Sequence, residues 1–254
     1  MKIRSYPLFH ALHEIDLSLS IPEQFIFNSA QTLSALVTRV FNFDFIFDTR
    51  EKSGIPSVTS KRIFDLFFGL LALILLFPFL LLISVIVKLE SEGSIFYVPL
   101  REGKNNLLFP CFKFRTMYSD QCDNPSSGCR STVRNDPRIT PFGRFLRKFS
   151  LDELPQLINV IRGEMSLVGP RPHRVKLADD FRSLGLDYEL RLRVKPGLTG
   201  WAQVNGWRGS TETLQQKTER IKHDLWYVKN HNLKLDLEIM WRTIIRGGIV
   251  DPLI

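Results

Sequence analysis

Two adjacent carboxylates, Asp152 and Glu153, are the residues of this chain best placed to do chemistry. They follow a basic stretch, Phe145-Leu146-Arg147-Lys148-Phe149-Ser150-Leu151, and precede Leu154-Pro155-Gln156-Leu157; Gly169-Pro170-Arg171-Pro172 lies a little further on. Proline is best tolerated at the first helical position, where its missing N–H costs nothing. The spacing therefore predicts a helix from Pro155 through Ile161, stopped at Gly163. The two acids would sit at the positive end of its dipole. An ionised carboxylate beside Arg147 and Lys148 could attack an electrophile or hold a divalent metal. The plainer reading of the same residues is a capping box, Ser150-x-x-Glu153, in which both acids merely start a helix.

The elements around this pair can be read from composition and periodicity. A length of 254 residues accommodates one large domain or two small ones. The formal charge is +8; residues 1–60 hold five Lys/Arg against six Asp/Glu, and residues 61–254 hold 29 against 20. That later basic excess points to a polyanionic partner, whether nucleic acid, phosphorylated substrate or anionic lipid. Cys111, Cys122 and Cys129 lack metal-site spacing and follow no signal peptide, as expected of reduced thiols in the cytoplasm. His10 and His13 have no matching ligands nearby. Residues 1–60 form an aromatic accessory segment ending in a linker, which could serve a homodimer.

From Ile63 to Val87 the chain is apolar apart from Asp65, Gly69, Pro78 and Ser84. As a helix this is about 37 Å long, enough to cross a ~30 Å hydrocarbon core. Both flanks are basic, Lys61-Arg62 before and Lys88, Arg101 and Lys104 after, so the positive-inside rule places both on one side. A helix that enters, bends at Pro78 and returns satisfies this; a bent spanning helix is the alternative. That apolar stretch argues against a nucleic-acid binder.

Ile95–Val98 and Leu107–Phe114 read as a small β-hairpin. It leads to Lys113 and Arg115, alternate residues of one strand face that could meet one diphosphate. Residues 118–135 read as a polar excursion. Phe142, Phe145, Leu146 and Phe149 share a helical face flanked by Arg144, Arg147 and Lys148, suited to the headgroup layer. Beyond the acids come a short strand at 165–168, the rigid turn that aims Arg171, a helix over 175–188, and a turn-rich segment over 195–206. Its Trp201 could stack, and its Gln203 and Asn205 could read a heterocycle. Two amphipathic helices close the chain, 213–230 with Asp224 and 233–246 with Trp241 and Arg242.

Four blocks, Lys113-Phe114-Arg115-Thr116-Met117, Ser150 to Leu157, Ser166 to Pro172 and Val194 to Gly206, strongly resemble the bacterial sugar transferases, the monotopic phosphoglycosyl transferases, over roughly Lys61 to Gly247. The resemblance implies an α+β, mostly helical monotopic membrane protein: accessory segment 1–60, re-entrant membrane helix 61–90, and catalytic domain 91–254 on the cytoplasmic face of the bacterial inner membrane. It implies transfer of a sugar-1-phosphate from a UDP-sugar to undecaprenyl phosphate, releasing UMP, with Mg²⁺ and a covalent phosphosugar–aspartate intermediate. Downstream glycosyltransferases would take the product into exopolysaccharide, lipopolysaccharide or capsule.

By the same resemblance Asp152 is the nucleophile and a metal ligand, and Glu153 its dyad partner and candidate base. Lys113, Arg115 and Arg147 bind phosphate; Pro170, Arg171, Pro172, Gln203, Asn205 and Asp224 contact the nucleotide or sugar. Helix dipole, metal and cations would depress the Asp152 pKa. The chain departs from the common pattern at Phe77, Ser94 and Pro99-Leu100. The rivals are a hydrolase using the same carboxylates, and a non-catalytic membrane assembly factor.

Overall fold

The computed structural model describes residues 60–119, 135–209 and 213–245, all within one unit, Ser57–Ile254. The expectations for residues 1–59, and for most of the polar excursion at 118–135, lie outside the described residues. The apolar stretch forms one helix, α1 (Ser60–Glu90), whose assignment runs through Pro78. Its inner face carries Phe64, Phe68, Ala72, Leu73 and Leu76 against the main core, then Leu80, Ile83 and Val87 against a second cluster with Phe114 and Leu146. That i, i+3/i+4 spacing defines one stripe. The opposite face exposes Phe67, Leu70, Leu71, Ile74, Leu75, Phe77, Leu81, Leu82 and Val85. A continuous apolar face of this size marks a membrane or partner surface.

Both ends of α1 are fixed by charge. Lys61 reaches Asp236 at 2.6 Å and the Val168 carbonyl at 3.1 Å. Arg62 donates to the carbonyls of Val160 and Ile161 at 2.6 and 2.7 Å, and Asp65 accepts from Ser166 Oγ and Leu167 N at 3.0 Å each. At the far end Glu90 accepts from Phe142 N at 2.7 Å. Arg115 donates there to the carbonyls of Val87 (3.1 Å), Ser91 (2.6 Å) and Glu92.

The expected hairpin is present as two short antiparallel ladders. β1 (Phe96–Tyr97) pairs with β4 (Lys113–Phe114), and β2 (Leu100–Glu102) with β3 (Leu108–Pro110). The interruption follows from Pro99, which has no N–H to give to a ladder. Asn105 and Asn106 turn the chain in the left-handed region, at φ 57° and 61°.

α2 (Pro141–Lys148) is capped by Thr140, whose side chain accepts from Gly143 N. Its expected apolar face divides: Leu146 is buried, whereas Phe145 and Phe149 stay exposed. α3 (Gln156–Arg162) begins after Pro155 and ends at Gly163, left-handed at φ 81°, as the sequence indicates.

β5 (Ser166–Val168) pairs in parallel with β6 (Gly197–Thr199), a strand that the turn-rich reading of 195–206 missed. The two chains approach so closely that a Cβ on Gly169 would strike the Lys195 carbonyl, and one on Gly197 the Gly169 nitrogen; only glycine fits. α4 (Val175–Arg182) is shorter than expected and is followed by a 3₁₀ turn at Tyr188–Arg193. α5 (Trp201–Val204), α6 (Leu214–Asn230, with a Thr213/Gln216 capping box) and α7 (Leu233–Ile245) complete the described elements. The core lies where α1, α3, β5, α6 and α7 meet, around Leu157, Val160, Val168, Tyr227 and Ile239.

Candidate active site

Asp152 and Glu153 lie in a single 3₁₀ turn, Leu151–Glu153, between α2 and α3. Ser150 before them is left-handed, at φ 58°, and its side chain caps nothing, so no capping box forms.

Glu153 is 5 % exposed and held on every side by cations. Lys113 Nζ lies 2.6 Å from Oε1, and Arg171 spans both oxygens at 2.6 and 2.9 Å. Arg208 Nη2 reaches Oε2 at 3.2 Å. Burial alone would raise its pKa; Arg171, Lys113 and Arg208 overcome that and hold the carboxylate well below its usual range. Such a group is a weak proton acceptor while these three cations hold it.

Asp152 is half-buried, and among the described residues its side chain has no hydrogen bond or ion pair. Burial first, then the adjacent Glu153 charge, push its pKa up; Lys113, Arg147 and Arg208 pull it back only in part. The sequence-based expectation of a depressed pKa counted a bound metal as well as the cations; from the protein's own groups the shift is upward. A like charge one residue away and loss of water outweigh cations already committed to Glu153.

The other sequence candidates divide. Lys113 and Arg171 meet at the dyad. Arg147 donates Nε to Thr116 Oγ1 at 2.8 Å and lies within electrostatic reach of Asp152. Arg115 does not share a face with Lys113: β4 ends at Phe114, and the Arg115 side chain turns back to the end of α1, 5 % exposed. Pro170 and Pro172 flank Arg171, with the Pro170 carbonyl fixed by Gly197 N at 2.9 Å. Gln203 is buried and donates weakly to the Leu198 carbonyl at 3.4 Å. Asn205 closes α5 by donating to the Trp201 carbonyl at 2.8 Å.

Asp224 is not open to the dyad. It is 1 % exposed and pairs with the equally buried Arg191 at 2.8 Å. Arg191 Nη2 in turn donates to the Arg171 carbonyl at 2.5 Å, so the pair fixes the backbone from which Arg171 reaches Glu153. Behind it His173 meets Tyr188 OH at 3.1 Å, and that hydroxyl donates to Glu102 at 2.9 Å. Burial and then the charges of Arg191, Arg220, Arg101 and Arg171 keep His173 neutral.

Comparison of the whole sequence with known proteins gives the family. Residues 56–247 match the model of the family described as bacterial sugar transferase. The chain belongs to that family. It is 42 % identical, over 91 % of its length, to a UDP-glucose:undecaprenyl-phosphate glucose-1-phosphate transferase of Klebsiella pneumoniae, of which it covers 48 %. It is 46 % identical, over 73 % of its length, to an undecaprenyl-phosphate glucose phosphotransferase of Komagataeibacter xylinus, of which it covers 35 %. An exopolysaccharide production protein PSS of Rhizobium leguminosarum bv. phaseoli is 43 % identical over 73 % of this chain and 93 % of its own length. The chain thus spans about half or less of the first two relatives.

In this member of the family two site residues are not evident from the sequence. Arg208 stands in Gly206-Trp207-Arg208-Gly209, a lone cation among turn residues, and that isolation was an available signal. Arg191 lies in an ordinary charged run, Tyr188-Glu189-Leu190-Arg191-Leu192-Arg193, with nothing local to single it out.

Among the described residues no three His, Cys, Asp or Glu side chains gather as a metal cage. Mg²⁺ needs no such cage, taking one or two carboxylates together with substrate phosphates and water. Glu153 is saturated by its cations, so the available carboxylate is Asp152. That donor set fits a magnesium ion carried with a diphosphate.

Proposed function

We propose that this chain transfers a sugar-1-phosphate from a UDP-sugar to undecaprenyl phosphate through a covalent phosphosugar on Asp152. The observation that carries the reading is the division of labour in the dyad. Glu153 is a fixed anion that organises Lys113, Arg171 and Arg208, while Asp152, adjacent and without a partner among the described residues, keeps its oxygens for attack. An Asp152 oxygen forms a bond to the sugar-bearing phosphorus, and the bond from that phosphorus to the bridging oxygen breaks, its electron pair leaving with UMP. The lipid phosphate then attacks the same phosphorus and restores the carboxylate. A phosphate monoester, with a second pKa near 6, is largely dianionic at neutral pH and requires no base. Mg²⁺ bound at Asp152 would supply charge neutralisation for the diphosphate; Lys113 and Arg147 supply it from the protein.

The membrane supplies the second substrate. The exposed apolar face of α1, with Phe145 and Phe149 on α2 and Trp241, Ile244 and Ile245 on α7, suits a protein seated in one leaflet. The Lys61–Asp236 ion pair at one end of α1 and the Glu90–Phe142 N hydrogen bond at the other support a monotopic arrangement. A cytoplasmic-face location follows from the need for a soluble UDP-sugar. A hydrolase using the same residues is disfavoured, because retaining carboxylates stand across a sugar about 5 Å apart and Glu153 is tied down by three cations.

The relatives named for glucose make UDP-glucose the donor to test first. Purified protein should release UMP continuously only with undecaprenyl phosphate and Mg²⁺ present, giving at most one UMP per protein without the acceptor, and should stop with EDTA or with Asp152→Asn. Radiolabelled donor without acceptor should leave label on the wild-type polypeptide and none on Asp152→Asn. Product formation that survives the substitution would end the proposal.

A further inference from the structure

Arg101 is 8 % exposed, yet its Nε has no hydrogen-bond partner among the described residues. It lies on β2 and forms an isolated antiparallel bridge with Arg174, the residue that opens α4. Residues opposite one another in such a bridge project from the same face, with Cβ atoms about 5 Å apart, and like charges so placed repel. Arg171, three residues before Arg174, brings a third guanidinium. Burial lowers the Arg101 pKa; the Cys111 thiol opposes this, and Arg174 and Arg171 lower it further.

The acids that could balance this group are already engaged. Glu102, next on β2, points to the other face, where Arg182 pairs with it at 2.8 Å and Tyr188 donates to it. Glu153 is held by Lys113, Arg171 and Arg208. Among the described residues no carboxylate pairs with Arg101 or Arg174. A buried cation left without a counter-ion is costly, and a row of three arginines makes it more so. Such an arrangement is stable in use when an anion joins it.

We propose that Arg101 and Arg174, completed by Arg171, form an anion subsite for the phosphate that departs with the nucleotide. The proposal rests on the transferase reading and assigns the second half of the diphosphate. One phosphoryl group must meet Asp152 beside Lys113 and Arg147. The other gains charge as the bridging P–O bond breaks and its electron pair stays on the nucleotide side, with no proton required. That is where fixed positive charge acts. Arg171 links the two halves: its guanidinium lies on Glu153, and its chain runs directly to Arg174. The planar guanidinium fork suits phosphate oxygens better than an ammonium does.

The test is calorimetric titration of the purified full-length protein in detergent with UMP and with uridine, for wild type, Arg101→Gln, Arg101→Lys and Arg174→Gln. UMP should bind the wild type at least tenfold more tightly than uridine. Arg101→Gln should lose tenfold or more for UMP and little for uridine, with Arg101→Lys between, and Arg174→Gln should move the same way. In turnover, KM for the UDP-sugar should rise while KM for undecaprenyl phosphate stays. Unchanged uridine affinity certifies the fold. UMP affinity that survives both Arg101→Gln and Arg174→Gln overturns the subsite. If no UDP-sugar is turned over, the transferase reading fails by itself; Arg101-dependent binding of inorganic pyrophosphate would then still support the subsite, and its absence would sink it.

Discussion

Asp152 and Glu153 carry the same functional group one position apart, and their surroundings drive their acidities in opposite directions. The raised Asp152 pKa means that its nucleophilic form is complete only above that value and is lost as pH falls through it. The acid limb of kcat/KM for the UDP-sugar should therefore lie above the ordinary aspartate value of about 3.9. Lys113 lowers the Asp152 pKa, so Lys113→Met should move the limb further up; a pH–rate profile in which it stays put would contradict the assignment. Glu153 has the reverse sign. Its folded pKa is depressed by Arg171, Lys113 and Arg208 against the effect of burial, so its contribution to stability is present above about pH 4.3 and drains away only as pH falls below that. Glu153→Gln leaves Lys113, Arg171 and Arg208 crowded without an anion. Removing one partner from a buried ion pair costs about 3–5 kcal/mol, which denaturant unfolding in detergent should register at neutral pH.

At the scale of elements, Arg115 separates two accounts of one motif. Alternation within Lys113-Phe114-Arg115 puts both cations at the phosphates; the structure uses Arg115 to gather the carbonyls at the end of α1. Arg115→Met should lower the unfolding midpoint, since hydrogen bonds to a charged group are worth about 1.5–3 kcal/mol each, while leaving UMP affinity intact. A selective loss of UMP affinity at unchanged stability would restore the phosphate role. The case shows what a sequence conveys. α1, α3, α6 and α7 were legible because apolar periodicity, Pro155, Gly163 and the Thr213 cap are local signals. β6 was not, because Gly197–Thr199 becomes a strand only by pairing with Ser166–Val168, far away in the chain. The dyad was visible as adjacent acids. Arg208 and the Arg191–Asp224 pair depend on which distant groups arrive beside them, and the raised Asp152 pKa depends on burial first and then on the Glu153 charge; no spacing rule encodes either.

At the scale of the molecule, α1 must reconcile an exposed apolar face with a polar body that touches both its ends. From Lys61 to Glu90 the helix spans about 44 Å if straight, longer than the ~30 Å hydrocarbon core. Yet Lys61 is paired with Asp236 and Glu90 caps Phe142, both in the same folded unit. A helix threaded across the bilayer would have to break one of those anchors and carry its partners into lipid, at several kcal/mol for an unpaired charge. A helix seated in one leaflet keeps both. Ser60 and Glu92 are exposed just outside the anchors, so Ser60→Cys and Glu92→Cys, each in a background without other cysteines, should react with a membrane-impermeant maleimide from the same side of sealed vesicles. Labelling of the two from opposite sides would establish a spanning helix. It would also require the Lys61–Asp236 or Glu90–Phe142 contact to open in the membrane, which a Lys61→Cys/Asp236→Cys crosslink in the same vesicles would reveal by failing to form.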